Sequence, residues 1–374
     1  MLALNDPGLP WHLSARRRRL TGSVLRALAG PALGLAVTAA CTSSPPSPAA
    51  PAATTATGIP TSTTPAPTTA PVPPTTSSPA PAAPSAPALA SLPVGTVLAV
   101  KIDNTAGSRP RLGVDHAVAV YVEPVEGGLT RVMAVFSTAA PGGLPAEVGP
   151  IRSARESDVM LLASWGHIAL AYSGGSAFTR SVVDAADLAT LSYEASSRGY
   201  RRAGDRTAPY NVIGSTATLL ARAGTGPTPS DPGFRFGPPS AGGTPATSVS
   251  TAWPAASVRL DWDAGSRTYL VTTDGRPDID ADGARHTAAT VVIQKVPTHL
   301  SDNRDVNGAQ TPVMDLVGQG PAVVLRDGQQ WTAQWSRPQA SAPTAYTANG
   351  QPVAMASGPA WVLLVPDGQA VTIG

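Results

Sequence analysis

From Val97 onward the chain alternates short apolar runs with turn residues, the pattern of strands. Val97-Leu98-Ala99-Val100-Lys101-Ile102 has strand length and stops at the turn signal Asp103-Asn104. Residues 117–125 and 131–137 repeat the pattern on either side of Gly127-Gly128, which predicts a hairpin. Ser153 with Glu156 three places later has the form of a capping box. Val159, Met160, Leu161, Leu162 and Trp165 follow, so a helix is expected there. His167 to Tyr172 reads as the next strand, broken at Gly174-Gly175-Ser176 into a second helix through Phe178, Val182, Val183 and Leu188. A third helix is expected from Ser215 to Ala223. Strands and helices mixed without strict alternation point to an α+β fold, a mixed sheet with two or three helices over residues 94–225.

Residues 226–256 are rich in Gly, Pro and Ser and read as a linker. Beyond them the pattern is almost wholly β. Residues 258–262 and 268–271 alternate around Gly265, Val291-Val292-Ile293 is a buried-type run, and residues 312–317, 322–325, 331–335 and 361–365 add further strands. This predicts a smaller, mostly-β C-terminal domain, 257–374, closed as a small sandwich or barrel. Trp331 and Trp335 fall on one face of a strand, as a sugar-stacking platform or as a core stripe.

Upstream the composition changes. Thr42 to Pro93 contains no Lys, Arg, Asp or Glu and is dominated by Pro, Ala, Thr and Ser, so it cannot bury enough apolar surface to offset ordering entropy. Residues 41–93 are therefore expected as a disordered tether. Before it, Arg16 to Arg19 form a positive flank and Val24 to Val37 an apolar core broken by Arg26, Gly30, Pro31 and Gly34, too short and interrupted for a spanning helix. Thr38-Ala39-Ala40 supplies small residues before Cys41. Residues 1–40 are thus expected to be a cleaved signal peptide, with Cys41 acylated (palmitate) and anchoring the chain to the outer face of a bacterial cell membrane. Cys41 is the only cysteine, which excludes an intrachain disulfide and a Cys-ligated metal. Removing five of 26 basic and one of 24 acidic side chains with the signal leaves 21 against 23, so charge gives no argument for a nucleic-acid partner.

Lys101-Ile102-Asp103-Asn104, Arg109-Pro110, and the strings VEGGLTR (125–131), GPIRSAR (149–155), YSGGS (172–176) and RTAPYN (206–211) precede DWD (261–263), VPTHL (296–300), DLVGQGPAVVLRDG (315–328) and WVLLVP (361–366). In this order they resemble the YerB-like lipoprotein family, over roughly residues 95–367. The resemblance implies two domains of unknown function and a membrane anchor, and no assigned reaction. In two of the strings histidine would be expected where this chain has Tyr172 and Tyr210, which speaks against imidazole or metal chemistry there.

The unusual chemistry is an arginine set, Arg109, Arg131, Arg152, Arg155 and Arg206, whose forks suit carboxylate and phosphate oxygens. The turn at Ser176 adds backbone donors at a helix start. Two readings stay open. The set holds an anionic ligand such as a cell-wall polymer or glycolipid, or the arginines pair with Glu123, Glu126, Glu147, Glu156 and Asp158 and lock loops. An alternative enzyme reading, an envelope hydrolase or transferase, places a catalytic carboxylate at Glu126 or Asp103. Ser176 lacks a nucleophile-elbow frame, and His116, His167, His286 and His299 lie in separate segments without metal-ligand spacing. No cofactor or metal is expected, and the favoured expectation is a non-catalytic binding module.

Overall fold

The computed structural model describes residues 88–305 and 307–374. The expected signal peptide, Cys41 and nearly all of the tether lie outside the described residues. In the described end of the stretch expected as a tether, Ala90–Ser91 pairs with Arg235 and Phe236.

Strands β1 (Val97–Asp103), β2 (Ala119–Pro124) and β3 (Thr130–Ser137) open the fold, and every residue in them is buried. The expected hairpin joins β2 to β3. Gly127 and Gly128 each take φ near 70°, a left-handed value that glycine adopts without penalty. Helix α1 (Glu156–Leu162), strand β4 (Gly166–Tyr172), helix α2 (Ala177–Asp184), strand β5 (Leu188–Ser192) and helix α3 (Thr216–Ala223) follow.

Two helix ends differ from expectation. The α1 cap is Arg155, whose N–H donates to Asp158 Oδ2 at 2.7 Å. The main chain before it is occupied in joining strand ends, as the N–H of Arg152 donates to Lys101 O and its carbonyl accepts from Ser173. Leu188 is no part of α2; it opens β5, which runs parallel to β4.

The second half contributes β6 (Ser248–Trp253), β7 (Ala256–Asp263), β8 (Thr268–Thr273), β9 (Thr290–Val296), β10 (Thr298–Arg304), β11 (Gln310–Met314), β12 (Gly318–Arg326), β13 (Gln329–Arg337), β14 (Ala345–Ala348) and β15 (Ala360–Pro366). Strand β6 falls inside the stretch read as linker. The later strands do not close a sandwich or barrel of their own. Instead β15 lies parallel to β9 on one side and to β2 on the other, so that one 13-stranded sheet runs β4–β1–β3–β2–β15–β9–β12–β13–β14 through its centre. The continuous apolar run Trp361-Val362-Leu363-Leu364-Val365 suits that place, since a central strand in parallel pairing is buried on both faces.

Strands β6, β7 and β8 belong to a six-stranded sheet that covers one face of the long sheet, where Val258, Leu260 and Val271 pack with Leu98, Val120, Ile293 and Leu363. On the other face Leu161, Leu162 and Trp165 from the α1 region pack with Val97, Tyr121 and Met133. Trp331 and Trp335 are buried there too, as the core stripe of the two readings. The fold is mostly β, with three α-helices among the described residues.

A buried ion network ties the two halves together. Arg111 is inaccessible and pairs with Asp278, while donating to Asn104 Oδ1 at 2.6 Å. His286 Nδ1 lies 3.1 Å from Asp278 and its Nε2 3.2 Å from Asp280. Burial alone would push Asp278 up, yet the charge of Arg111 and the contacts with His286 and Thr273 hold it well below the usual carboxylate range. Arg109 adds a strut by donating to Asp274 Oδ2 at 2.7 Å. Replacing Arg111 with alanine strands a buried carboxylate, and should lower unfolding free energy by about 3–5 kcal/mol. Urea denaturation at neutral pH checks this, and a loss under 1 kcal/mol would contradict it.

Candidate functional site

The face of the sheet that carries α1 turns polar at one end. By strand alternation Lys101 and Asp103 on β1, Glu123 on β2 and Arg131 on β3 share the face of residues that pack on that side, namely Ala99, Tyr121 and Met133. Asp103 and Glu123 are both in register with Arg131. The 152–158 segment closes the end from above with Arg152, Arg155 and Asp158, and the hairpin turn adds Glu126.

Lys101, Glu123 and Asp158 form an inaccessible triad in which the ammonium contacts both carboxylates. Burial pushes the Glu123 carboxyl up, and the neighbouring Asp158 pushes it further; Lys101 offsets only part, so it stands at about 8. Glu123 Oε2 is buried without a partner. Arg155 is fully engaged. Its Nε and Nη2 both donate to Glu126 Oε2, and its Nη1 donates to Ala154 O at 2.8 Å. Burial would raise Glu126, but Arg155 and the hydroxyl of Thr311, 2.5 Å away, outweigh it and hold the carboxyl low. Thr311 belongs to β11. The β10–β11 hairpin also reaches Glu156 through Ser301 at 3.0 Å and Thr179 through Asn303 at 3.1 Å, so the second half braces this end of the first.

Arg131 differs from its neighbours. It is 8% exposed, yet its only hydrogen bond among the described residues is Nη1 to Ser153 O at 2.9 Å. Burial and the like charges of Arg155 and Arg152 lower its guanidinium to about 9, which Asp103 and Glu126 offset only in part. Arg152 stacks on Tyr210, 5.5 Å from the ring centroid, and its Nε lies 2.9 Å from Asp103 Oδ2 without hydrogen-bond alignment. Asp103 is otherwise spent on the N–H and hydroxyl of Thr105. Ser153 sits between Arg131 and the glycine turn, since a side chain on Gly174 would meet Ser153 Oγ at 2.6 Å. That hydroxyl and the N–H groups of Gly175 and Ser176 have no partner among the described residues. Ser176 caps α2 by accepting from Thr179 N at 3.0 Å.

Three of the five predicted arginines thus converge, Arg131, Arg152 and Arg155. The other two act as struts. Arg109 spans to Asp274, and Arg206 donates to Ser108 O and Pro110 O. Of the expected carboxylate partners, Glu126 takes Arg155, whereas Glu123 and Asp158 take Lys101 and Glu147 takes Arg201. Glu156 bonds Ser301 instead. Sequence reasoning missed the Lys101 triad, although a lysine flanked by Val100 and Ile102 in an apolar strand is a readable sign of a buried partner. A cavity of about 570 Å³ lies elsewhere, between Leu92, Val118, Pro141, Phe236 and Pro359, and touches none of these groups. Among the described residues no group of His, Cys, Asp and Glu could hold a metal ion.

The arrangement separates support from recognition. Removing Arg155 leaves Glu126 buried and uncompensated, and should cost about 3 kcal/mol. Arg131→Met removes a poorly compensated charge and should be neutral or stabilising by about 1 kcal/mol. Comparing denaturation midpoints of the two variants tests the assignment; equal losses would contradict it. Glu123 also sets a pH slope. The folded state holds its proton where the unfolded chain has lost it, so stability should fall as pH rises from the unfolded value of about 4 toward 8, by at most about 1.4 kcal/mol per unit. Glu123→Gln should flatten the slope in urea titrations across that window, and an unchanged slope would rule Glu123 out as its source.

Comparison with known families matches two models, the N-terminal domain of a protein of unknown function (DUF3048) over residues 88–228 and the C-terminal domain of the same over residues 249–362. Among solved structures, the crystal structure of YerB protein from Bacillus subtilis is similar, at 20% identity and a TM-score of 0.63, covering 74% of this chain and 94% of that one. A comparison with curated proteins finds no match.

Proposed function

From the premise that this chain belongs to the YerB-like family, whose domains have no assigned function, we propose that it is a non-catalytic binding module for an anionic ligand of the cell envelope. The observation that carries the reading is Arg131, a nearly buried guanidinium with Nε and Nη2 unengaged and two more arginines beside it. A cation in that position is stabilised by an anion it does not yet have. The hydroxyl of Ser153, whose carbonyl Arg131 contacts, adds a donor without a partner among the described residues, while the turn before α2 already carries a carboxylate, Glu194, on the N–H of Gly174 at 2.9 Å.

The carboxylates fit support better than catalysis. Glu126 is held ionised by Arg155 and engaged by Thr311, which suits an anchor and leaves no proton to donate. Asp103 faces Arg152 and caps its own turn. These pairings favour the binding module over a hydrolase or transferase.

The address forms part of the proposal. The arginine flank, the broken apolar stretch and Cys41 suit an acylated anchor on the outer face of the membrane, with the Pro/Ala/Ser/Thr tether as a leash. No helix among the described residues is long and apolar enough to cross a membrane. A wall polymer or glycolipid within reach of that leash is the proposed partner.

The purified chain incubated with envelope fractions should be retained, and Arg131→Ala should reduce retention by about tenfold, the loss of a charge-assisted two-point contact. Retention unaffected by Arg131→Ala would remove the arginine from the function. In cells, Cys41→Ser should move the full chain from the membrane to the soluble fraction; a membrane-bound Cys41→Ser protein would remove the anchor.

A further inference from the structure

We propose that the chain carries a second ligand site, away from the arginines, for a small amphiphile made of an apolar body and a primary ammonium. The site is the cavity of about 570 Å³ between Leu92, Val118, Pro141, Phe236 and Pro359, whose lining also includes Asp115 and His116. The inference goes beyond the anion reading and does not depend on it.

Shape is the first argument. Ala90 to Pro93, the turn before β2, the loop after β3, Phe236 and the loop before β15 frame the cavity, and backbone hydrogen bonds pin these walls. Val118 N donates to Val135 O at 2.9 Å, and its carbonyl accepts from Ala360 N at 3.1 Å. Pro359 O accepts from Ala289 N at 2.9 Å, Gly143 N donates to Ala140 O at 2.9 Å, and Ala90 is in register with Phe236. Much of the lining is small, with Ala117, Ala139, Ala140 and Gly142, so the space between the walls is left open. Even a side chain on Gly142 would meet nothing closer than His116 Nδ1 at 3.7 Å. A preformed, mainly apolar cavity of about 300–1,000 Å³ with a few polar groups is the usual form of a small-molecule site.

The polar groups select the head of the ligand. Asp115 and His116 are the only ionisable side chains in the lining, and no lysine or arginine belongs to it. His116 Nδ1 lies 3.2 Å from Gly142 O, a group that only accepts, so that nitrogen carries a proton. Its Nε2 is 3.9 Å from Asp115 Oδ2, beyond hydrogen-bond reach. The Asp115 carboxylate, which can only accept, thus has no donor among the described residues. The groups that act on it at longer range are Asp280, Asp282, His116 and His286. Asp280 and His286 face each other at 3.2 Å, which leaves the balance of these groups negative in either state of His116. A primary ammonium supplies both missing things, a positive charge and donors. An alcohol supplies a donor alone, and a carboxylate brings a like charge. The chain's own Pro/Ala/Ser/Thr stretch is no substitute, since residues 42–93 contain no Lys or Arg.

The place of the cavity gives the ligand a structural consequence. Asp115 to Val118 and the loop after β3 belong to the first half, Phe236 and the loop before β15 lie beyond it, and Ala90 to Pro93 lead into β1. A ligand seated there touches all three and is lost when they separate, so it stabilises the folded chain by mass action.

The test is calorimetric titration of the purified chain at pH 7 with octylamine, 1-octanol and octanoate, and with hexylamine as the shorter amine. Octylamine should bind about tenfold more tightly than 1-octanol, the margin of a charge-assisted contact over a neutral one, and octanoate should bind most weakly. It should also exceed hexylamine by about tenfold, because two more methylenes are buried. Asp115→Asn should bring octylamine down to the level of 1-octanol. Ala140→Trp, which fills the cavity from its lining, should abolish binding of all four, and Ser357→Trp does the same from the loop before β15. Thermal melts establish that each variant is folded, and where one is not, the other variants and the ligand ranking decide. 1-Octanol or octanoate matching octylamine, or a preference for the amine that survives Asp115→Asn, overturns the ammonium assignment. No saturable binding of any of the four, or binding that persists in a folded tryptophan variant, overturns the site itself.

Discussion

Strand β15 is the constraint on which the rest of the structure depends. It comes near the end of the chain, yet it is inserted between β2 from the first half and β9 from the second, parallel to both. Six successive residues from Ala360 to Val365 are buried, and their side chains feed both cores. Without β15 the first-half strands would end at an unpaired edge on β2, a long apolar edge that proteins avoid exposing. Arg111 and Asp278 make the same connection electrostatically, at a place where neither charge has water to fall back on.

The position of the arginine site follows from this pairing. Because β9 is held in register with β15, the β10–β11 hairpin that leaves β9 is delivered to the starts of α1 and α2, where Thr311 meets Glu126. Glu126 in turn fixes the plane of Arg155, whose Nε and Nη2 both end on its Oε2. Arg131 is therefore left short of partners by the satisfaction of its neighbours. A buried charge is tolerated there because the sheet and the hairpin together over-determine the surrounding geometry, and function is the usual reason for such a cost.

Local features were legible in the chain itself. The Gly127-Gly128 hairpin, the strands from Val97 and the three helices could be read from period and turn residues, with errors at helix ends such as Leu188 and the α1 cap. The arginine strings and their chemical type were also readable. What could not be read was partnership. Parallel pairing of β15 with β2 joins residues more than 200 positions apart, and nothing local in either strand names the other. For the same reason Arg109, Arg131 and Arg206 look alike in sequence, although one meets a carboxylate, one meets carbonyls and one is left open. Lys101 is the instructive miss: its apolar neighbours announce burial, but only the fold supplies Glu123 and Asp158.

Native-state hydrogen exchange tests the central claim most directly, since it reports the opening free energy of each strand. If β15 binds the two halves into one unit, amides of β1, β2, β15, β9 and β12 should exchange through a common global opening with the same free energy and denaturant dependence. Exchange of β9 and β12 at a markedly lower free energy, while β1 and β2 stay protected, would show that the halves unfold independently and would contradict the account.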